Sequence, residues 1–163
     1  MAGCLSCQQD DIIEPFISPL WDNNDATLSE QDANILAFFE EQVPWSYGFL
    51  TPLCIFGDNP PLDNQCMVIN SMDELREVFL CLSIELPEID FNKHTLIIGR
   101  ISVSTAEYSV AKQDITIKPD KLILRITADG THAYMMVGSQ LNYWGLYPKL
   151  PDKPLVTNIT ITK

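Results

Sequence analysis

The stretch Thr95-Leu-Ile-Ile-Gly-Arg-Ile-Ser-Val103 marks the point at which the chain changes from helical to strand periodicity. It is rich in β-branched and aliphatic residues, which favour extended structure. Upstream, Ser71-Met-Asp-Glu74 has the spacing of a capping box, in which each side chain accepts a hydrogen bond from the other residue's free backbone N–H. Apolar residues follow at helical spacing at positions 75, 78, 79 and 82. A helix followed by strand-rich sequence indicates an α+β domain.

Downstream of this stretch, short β-rich runs alternate with turn sequences such as Lys118-Pro-Asp-Lys121 and Ala128-Asp-Gly130. We expect six strands joined by short turns, and this pattern predicts an antiparallel β-sheet or a small barrel. The predicted strands cover residues 95–103, 108–117, 122–127, 134–137, 144–147 and 155–162.

The N-terminal half is predicted to contain two short helices. The first covers residues 28–42 with Ser29 as its N-cap, and Pro44 ends it. Residues 1–26 are predicted to be a lipoprotein-like tail and linker, although the apolar residues near Trp21 favour contact with the domain. Residues 27–163 are predicted to form a single α+β domain, strand-rich from residue 95.

The composition fits one folded domain and excludes some partners. The chain has 163 residues, 46% of them hydrophobic, and a formal net charge of −12. A nucleic-acid backbone or an anionic lipid surface requires a basic protein face, so neither is predicted to bind. No apolar run approaches the roughly 18 to 20 residues that a membrane span needs.

The first residues resemble a bacterial lipobox. Leu5-Ser6-Cys7 resembles this motif, in which small residues precede a lipid-bearing cysteine, and Gln8-Gln9-Asp10-Asp11 resembles the polar stretch after that cysteine in Bacteroidetes surface lipoproteins. A classical signal peptide is not recognisable. We therefore predict a cell-envelope protein whose membrane contact is a lipid on Cys7 or Cys4. A cytoplasmic protein with two N-terminal cysteines is the alternative.

The other three cysteines have different predicted roles. Cys54 and Cys66 flank a turn-rich loop and would form a disulfide in an oxidising compartment. Cys81 lies in an apolar helical stretch and is expected to be a buried thiol. Zinc-ligand spacing is absent from the domain, so no metal or other cofactor is predicted.

No familiar catalytic motif is present in the sequence. His94 and His132 are expected to be exposed turn residues rather than catalytic bases. Only a pair of carboxylates remains as a source of chemistry, and the acids Glu85, Glu88 and Asp90 cluster in sequence.

Two aromatic segments, residues 45–49 and 143–147, could form a binding surface, because large amphipathic rings dominate interface hot spots and stack on sugars. Core packing and strand pairing are the alternative interpretation, and the sequence leaves both open.

The order of motifs from residue 68 to residue 163 resembles the PrcB-like C-terminal domain of bacterial extracytoplasmic proteins. The resemblance rests on Ser71-Met-Asp-Glu-Leu-Arg-Glu-Val-Phe79, on Asp90-Phe91 before a strand, and on Tyr108-Ser-Val110 opening the next strand. The family has two glycines before that tyrosine, where this chain has Ala106 and Glu107. The resemblance implies a domain that stabilises or modulates a partner protease. Its recognition residues would be Ser104, Thr105, Glu107, Tyr108, Tyr143, Trp144 and Tyr147.

Three functions follow from these patterns. The leading hypothesis is a non-enzymatic, lipid-anchored envelope domain that binds a protein partner and modulates a protease. The alternatives are a carbohydrate or small-ligand binding module that uses exposed aromatic residues, and a hydrolase with an unrecognised carboxylate pair.

Overall fold

The computed structural model describes residues 16–22, 27–43, 46–47, 66–79, 84–104, 108–130 and 139–162. These residues form two α-helices and eight β-strands, together with a 3-10 turn at Leu20–Asp22. The helices are α1 (Glu30–Gln42) and α2 (Met72–Val78). The strands are β1 (Phe16–Ile17), β2 (Ser46–Tyr47), β3 (Cys66–Ile69), β4 (His94–Val103), β5 (Tyr108–Ile117), β6 (Leu122–Gly130), β7 (Ser139–Pro148) and β8 (Leu155–Thr162).

The strands form two four-stranded sheets that pack face to face. One has the order β1-β5-β6-β8 and the other the order β2-β7-β4-β3. After β6 the chain crosses to the other sheet as β7 and then returns as β8. Strand β8 lies beside β6 and pairs with it in parallel, with Leu122 opposite Leu155. All other strand pairs are antiparallel.

Both helices begin at the serine caps that the sequence predicts. The Ser29 hydroxyl accepts a hydrogen bond from the backbone N–H of Asp32, and the Ser71 hydroxyl accepts one from that of Glu74. These bonds satisfy donors that the first helical turn leaves free. The Glu74 carboxylate accepts from the backbone N–H of Asn70, one residue before the expected partner of a capping box.

The first hydrophobic core lies between the helices and the β2-β7-β4-β3 sheet. Trp144 fills its centre with no exposed surface, and its ring packs 5.3 Å from the ring of Phe39 on α1. The Trp21 indole N–H donates to the backbone oxygen of Trp144. The buried members are Ile35, Leu36, Phe39, Val43, Ile69, Leu75, Val78, Phe79, Ile89, Phe91, Leu96, Ile98, Trp144 and Leu146.

The second core fills the space between the two sheets. Because successive residues of β7 point to opposite faces, Tyr143 and Tyr147 enter this core while Trp144 enters the other. The ring of Tyr143 lies across Gly99 on β4, in the space that a Cβ atom would occupy. The buried members are Ile97, Ile101, Val103, Tyr108, Ile115, Leu122, Leu124, Ile126, Ala128, Leu141, Tyr143, Tyr147 and Leu150.

The predicted α+β class with two helices and a β-rich C-terminal half is confirmed. The sheets do not close into a barrel, and the arrangement is not purely antiparallel because β6 and β8 run in the same direction. Residues 16–22, predicted to be linker, contact the domain: β1 pairs with β5.

Several predicted boundaries move. The second helix, whose apolar spacing in the sequence continues to position 82, ends at Val78, where Phe79 adopts extended backbone angles of φ −103° and ψ 91°; position 82 lies outside the described residues. The turn predicted at 128–130 is the end of β6, where Gly130 pairs with Tyr108. The strand predicted at 144–147 extends over all of β7. The strand predicted at 134–137 lies outside the described residues.

No helix within the described ranges combines the length and apolar character that a membrane span requires.

Candidate binding site

The aromatic segment of β7 is not a surface. Tyr143, Trp144 and Tyr147 have no exposed area, because β7 is a central strand with a hydrophobic core on each face. Their predicted role as exposed binding residues is therefore wrong, and core packing, the other interpretation, is correct. The structure does not describe the side chains of the other aromatic segment, residues 45–49.

The connection between β4 and β5 is described only in part. Ser104 is exposed at the end of β4, whereas Tyr108 is 4% exposed and its ring covers Gly130. Tyr108 is thus a core residue and not a recognition residue. Thr105 and Glu107 lie outside the described residues, and their recognition role stays a prediction.

Cys66 is a free cysteine in the structure, and its sulfur lies 3.6 Å from the Thr157 hydroxyl of β8. This contact joins an edge strand of each sheet. Burial raises the pKa of the Cys66 thiol and that of the neighbouring Tyr143 phenol, so both remain neutral at physiological pH. Cys54 lies outside the described residues, as do Cys4, Cys7 and Cys81, and the Cys54–Cys66 disulfide remains a prediction for oxidising conditions.

His94 is not the exposed turn residue that the sequence predicts. It begins β4, and its side chain is only 15% exposed, with Nε2 3.6 Å from the Asp32 carboxylate of α1. The same carboxylate accepts a hydrogen bond from the Ser29 hydroxyl at 2.7 Å. Serine and imidazole therefore both contact the carboxylate, and no serine-to-histidine hydrogen bond joins them, unlike the nucleophile and base of a hydrolytic triad. His132 lies outside the described residues.

The acids of the predicted 85–90 cluster make different contacts in the structure. Asp90 accepts from the backbone N–H of Asn92, and this bond, with Lys93 nearby, holds the pKa of the Asp90 carboxyl below its usual value. Glu88 shares a shallow depression of about 410 Å³ with Glu30. In the described parts of the chain, no group of three or more His, Cys, Asp or Glu side chains is arranged to hold a metal ion.

A larger cleft, of about 520 Å³, opens at one end of the two packed sheets. Segments distant in sequence form it: the end of β3, the starts of β4, β6 and β8, and the connection from β7 to β8. Its walls combine apolar and polar residues, and it is of the size that small ligands and side chains occupy in proteins. The lining residues are Val68, Asn70, Thr95, Ile97, Leu122, Lys149, Leu150, Pro151, Asp152, Lys153 and Leu155.

Hydrogen bonds fix the polar side of this cleft. The Asn70 side-chain oxygen accepts from the Thr95 hydroxyl at 2.9 Å and from the Lys149 ammonium at 2.8 Å. The Thr95 hydroxyl accepts in turn from the backbone N–H of Leu150. The Lys153 ammonium donates to the backbone oxygen of Lys118 at 2.8 Å. Both lysines are therefore positioned by neutral oxygens.

Strand β8 is an open edge of its sheet within the described part of the chain. It pairs with β6 along its length and has no strand on its other side. It contains no proline or charged residue, and its pairing with β6 has no bulge. Proline, charged residues and bulges are the features that usually protect an edge strand from pairing with another chain, and β8 has none of them. Val156 and Ile161 on β8 are 44% and 45% exposed.

The sequence contained two signals for these features. The clean alternation of 155–162 predicts β8, but edge position follows only from the sheet order. The tripeptide Pro-Asp-Lys occurs at 119–121, directly before β6, and again at 151–153, one residue before the neighbouring strand β8. This recurrence concentrates lysine at the cleft end of an acidic protein.

No family model matches the chain, and comparisons with curated proteins and with solved structures found no similar protein.

Proposed function

We propose that this chain is a non-enzymatic binding domain of the bacterial cell envelope, and that it binds a protein partner through the open edge of β8. The observation that carries the proposal is the unprotected edge strand, whose eight residues pair on one side only among the strands that the structure describes.

The physical basis is β-strand addition. Alternate residues of an edge strand direct their backbone N–H and C=O groups away from the sheet, where an extended segment of another protein can pair with them. Each such hydrogen bond contributes a net of about 1 kcal/mol. The half-exposed side chains of Val156 and Ile161 supply apolar contact on opposite faces of the added strand.

The resemblance to the PrcB-like domain supports a protease as the class of partner, since that family modulates proteases. The lipobox-like sequence before Gln8 supports attachment to the envelope through Cys7 or Cys4. Together they favour a domain that holds a secreted or membrane-bound protease near the membrane surface.

Partner capture from an envelope extract tests the interface. Val156→Lys and Thr160→Lys place charges on the exposed face of β8, and charge at a sheet edge opposes pairing with another strand. We expect the wild-type domain to retain specific proteins that the double variant loses. Ala37→Lys, at an exposed position of α1, is the matched control, and Ser104→Lys tests the exposed end of β4 that the sequence predicts for recognition.

Loss of the same proteins from Ser104→Lys but not from the β8 variant would move the interface to the 104–109 connection. Capture of no specific protein by the wild-type domain would contradict the proposal. Envelope attachment is tested separately by palmitate labelling in the source bacterium: we expect Cys7→Ser or Cys4→Ser to abolish labelling, and an unlabelled wild-type protein would refute a lipid anchor.

A further inference from the structure

The cleft lies at the corner where the open edge of β8 meets the end of the two sheets. Its walls include Leu155, the first residue of β8, and Val68 of β3, the edge strand of the opposing sheet. An extended segment paired with β8 would therefore reach the cleft at the N-terminal end of β8.

Two of the charged residues at the cleft, Lys149 and Lys153, lack an acidic partner within the described residues. In the described part of the protein, neither the Lys149 nor the Lys153 ammonium makes an ion pair, and each donates only one hydrogen bond, to a neutral oxygen. An ammonium has three donors, so each retains capacity for an anion. Asp152 also lines the cleft, and the Glu74 carboxylate binds the backbone of Asn70 nearby, without contact to either lysine. Two lysines without an ion pair among the described residues are a local exception in a chain of net charge −12.

The other residues that line the cleft indicate which chemical group the ligand carries beside its anion. Val68, which is 40% exposed, and the half-buried Leu155 offer apolar surface that a phosphate or sulfate would leave unused. A carboxylate attached to an apolar side chain satisfies both the ammonium groups and the walls.

Strand direction connects the two features. A segment that pairs antiparallel with β8 runs opposite to it, so its C-terminal end arrives beside Leu155 and the cleft. A partner that ends there would place its terminal carboxylate near Lys149 and Lys153 and its last side chain between the apolar walls.

We propose that the cleft binds the C-terminal carboxylate and apolar last residue of a partner peptide that adds to β8 as an antiparallel strand. The inference rests on the proposed function for the strand addition. The carboxylate site itself depends only on the cleft.

The test uses a fluorescein-labelled hexapeptide of alternating threonine and valine that ends in leucine, with either a free carboxylate or a C-terminal amide. Fluorescence anisotropy measures the affinity of each for the full chain. We expect the free acid to bind about tenfold more tightly, the effect of one charge-assisted hydrogen bond. Lys149→Gln and Lys153→Gln should each reduce this difference, while both glutamines can still donate to the neutral oxygens.

Lys121→Gln is the matched control. It removes the same charge from the neighbouring Pro-Asp-Lys turn but not from the cleft lining, and it should preserve the preference for the acid. Circular dichroism of each variant establishes that it is folded. Equal affinity for acid and amide, absence of binding, or an equal effect of Lys121→Gln would overturn the carboxylate site.

Further arms separate this inference from the proposed function. If the Val156→Lys/Thr160→Lys variant keeps the acid preference but loses captured partners, the cleft site holds and the peptide does not use β8, which overturns the combined inference. If no peptide binds but the β8 variant loses partners, only the cleft inference fails.

Competition by sodium decanoate at the peptide's own concentration would assign the cleft to a free amphipathic acid. A dimer by light scattering that the β8 variant dissociates would assign the edge to a second copy; either result would overturn the peptide proposal.

Discussion

Replacing Tyr147 with phenylalanine removes a buried polar contact between the two sheets. The Gln113 side-chain nitrogen donates to the Tyr147 hydroxyl at 2.6 Å, and Gln113 has no exposed surface. The Gln113 side-chain oxygen already lacks a partner within the described residues. Tyr147→Phe would therefore leave a whole buried amide unsatisfied. A buried polar group without a partner costs about 1 to 3 kcal/mol, and we expect the free energy of unfolding to fall by that amount.

The reciprocal change gives the prediction its specificity. Gln113→Met keeps the length of the side chain, removes the amide and leaves the Tyr147 hydroxyl buried alone, which should also cost about 1 to 3 kcal/mol. In the Tyr147→Phe/Gln113→Met double variant neither orphaned group remains. Its loss of stability should be smaller than the sum of the single losses by at least about 1 kcal/mol.

Urea unfolding followed by tryptophan fluorescence measures all four proteins, with an unchanged dependence on urea as the sign that the native and unfolded states are comparable. Additive losses, within about 0.5 kcal/mol, would refute direct contact between the two side chains. Because Gln113 belongs to β5 and Tyr147 to β7, additivity would also contradict the packing of the two sheets.

Three further predictions concern the same interior. Trp144→Ala empties the centre of the core beside Phe39 and should cost about 3 to 5 kcal/mol in urea unfolding, since loss of a buried aromatic side chain leaves a cavity; a loss below about 1 kcal/mol would contradict its burial. Gly99→Ala places a methyl group in the Tyr143 ring and should cost about 1 to 3 kcal/mol, with partial recovery in Gly99→Ala/Tyr143→Leu; stability equal to wild type would show that the ring does not lie there. Burial raises the pKa of Tyr143 in the folded state, so the stability that its neutral phenol contributes is complete below the unfolded-state pKa of about 10 and is lost progressively as the pH rises above that value. Tyr143→Phe should therefore lessen the loss of stability at alkaline pH. The same dependence of stability on pH from 8 to 11 in this variant and in the wild type would contradict the burial of the phenol.

Local signals predicted the parts of this fold that depend on neighbouring residues. Ser29 and Ser71 begin helices because a cap requires only the next three residues. The strict alternation of residues 155–162 gave the bounds of β8. In each case the physical cause lies within one short segment.

The remainder depends on contacts between distant segments. Residues 143–147 are apolar on both faces because β7 separates two cores, and a short sequence cannot distinguish that burial from an exposed aromatic patch. The parallel pairing of β6 with β8 follows from β7 lying in the other sheet. The cleft could not be predicted for the same reason, since Asn70, Thr95 and Lys149 meet only after the sheets have packed.

Amide hydrogen exchange along residues 155–162, resolved by NMR, tests most directly whether β8 is an open edge used for binding. We expect alternation in the free protein, with slow exchange for amides that donate to β6 and fast exchange for those that point outward. Addition of a captured partner should slow the outward amides selectively. Uniform protection of all eight residues in the free monomer, or outward amides that remain fast in the bound state, would contradict this expectation.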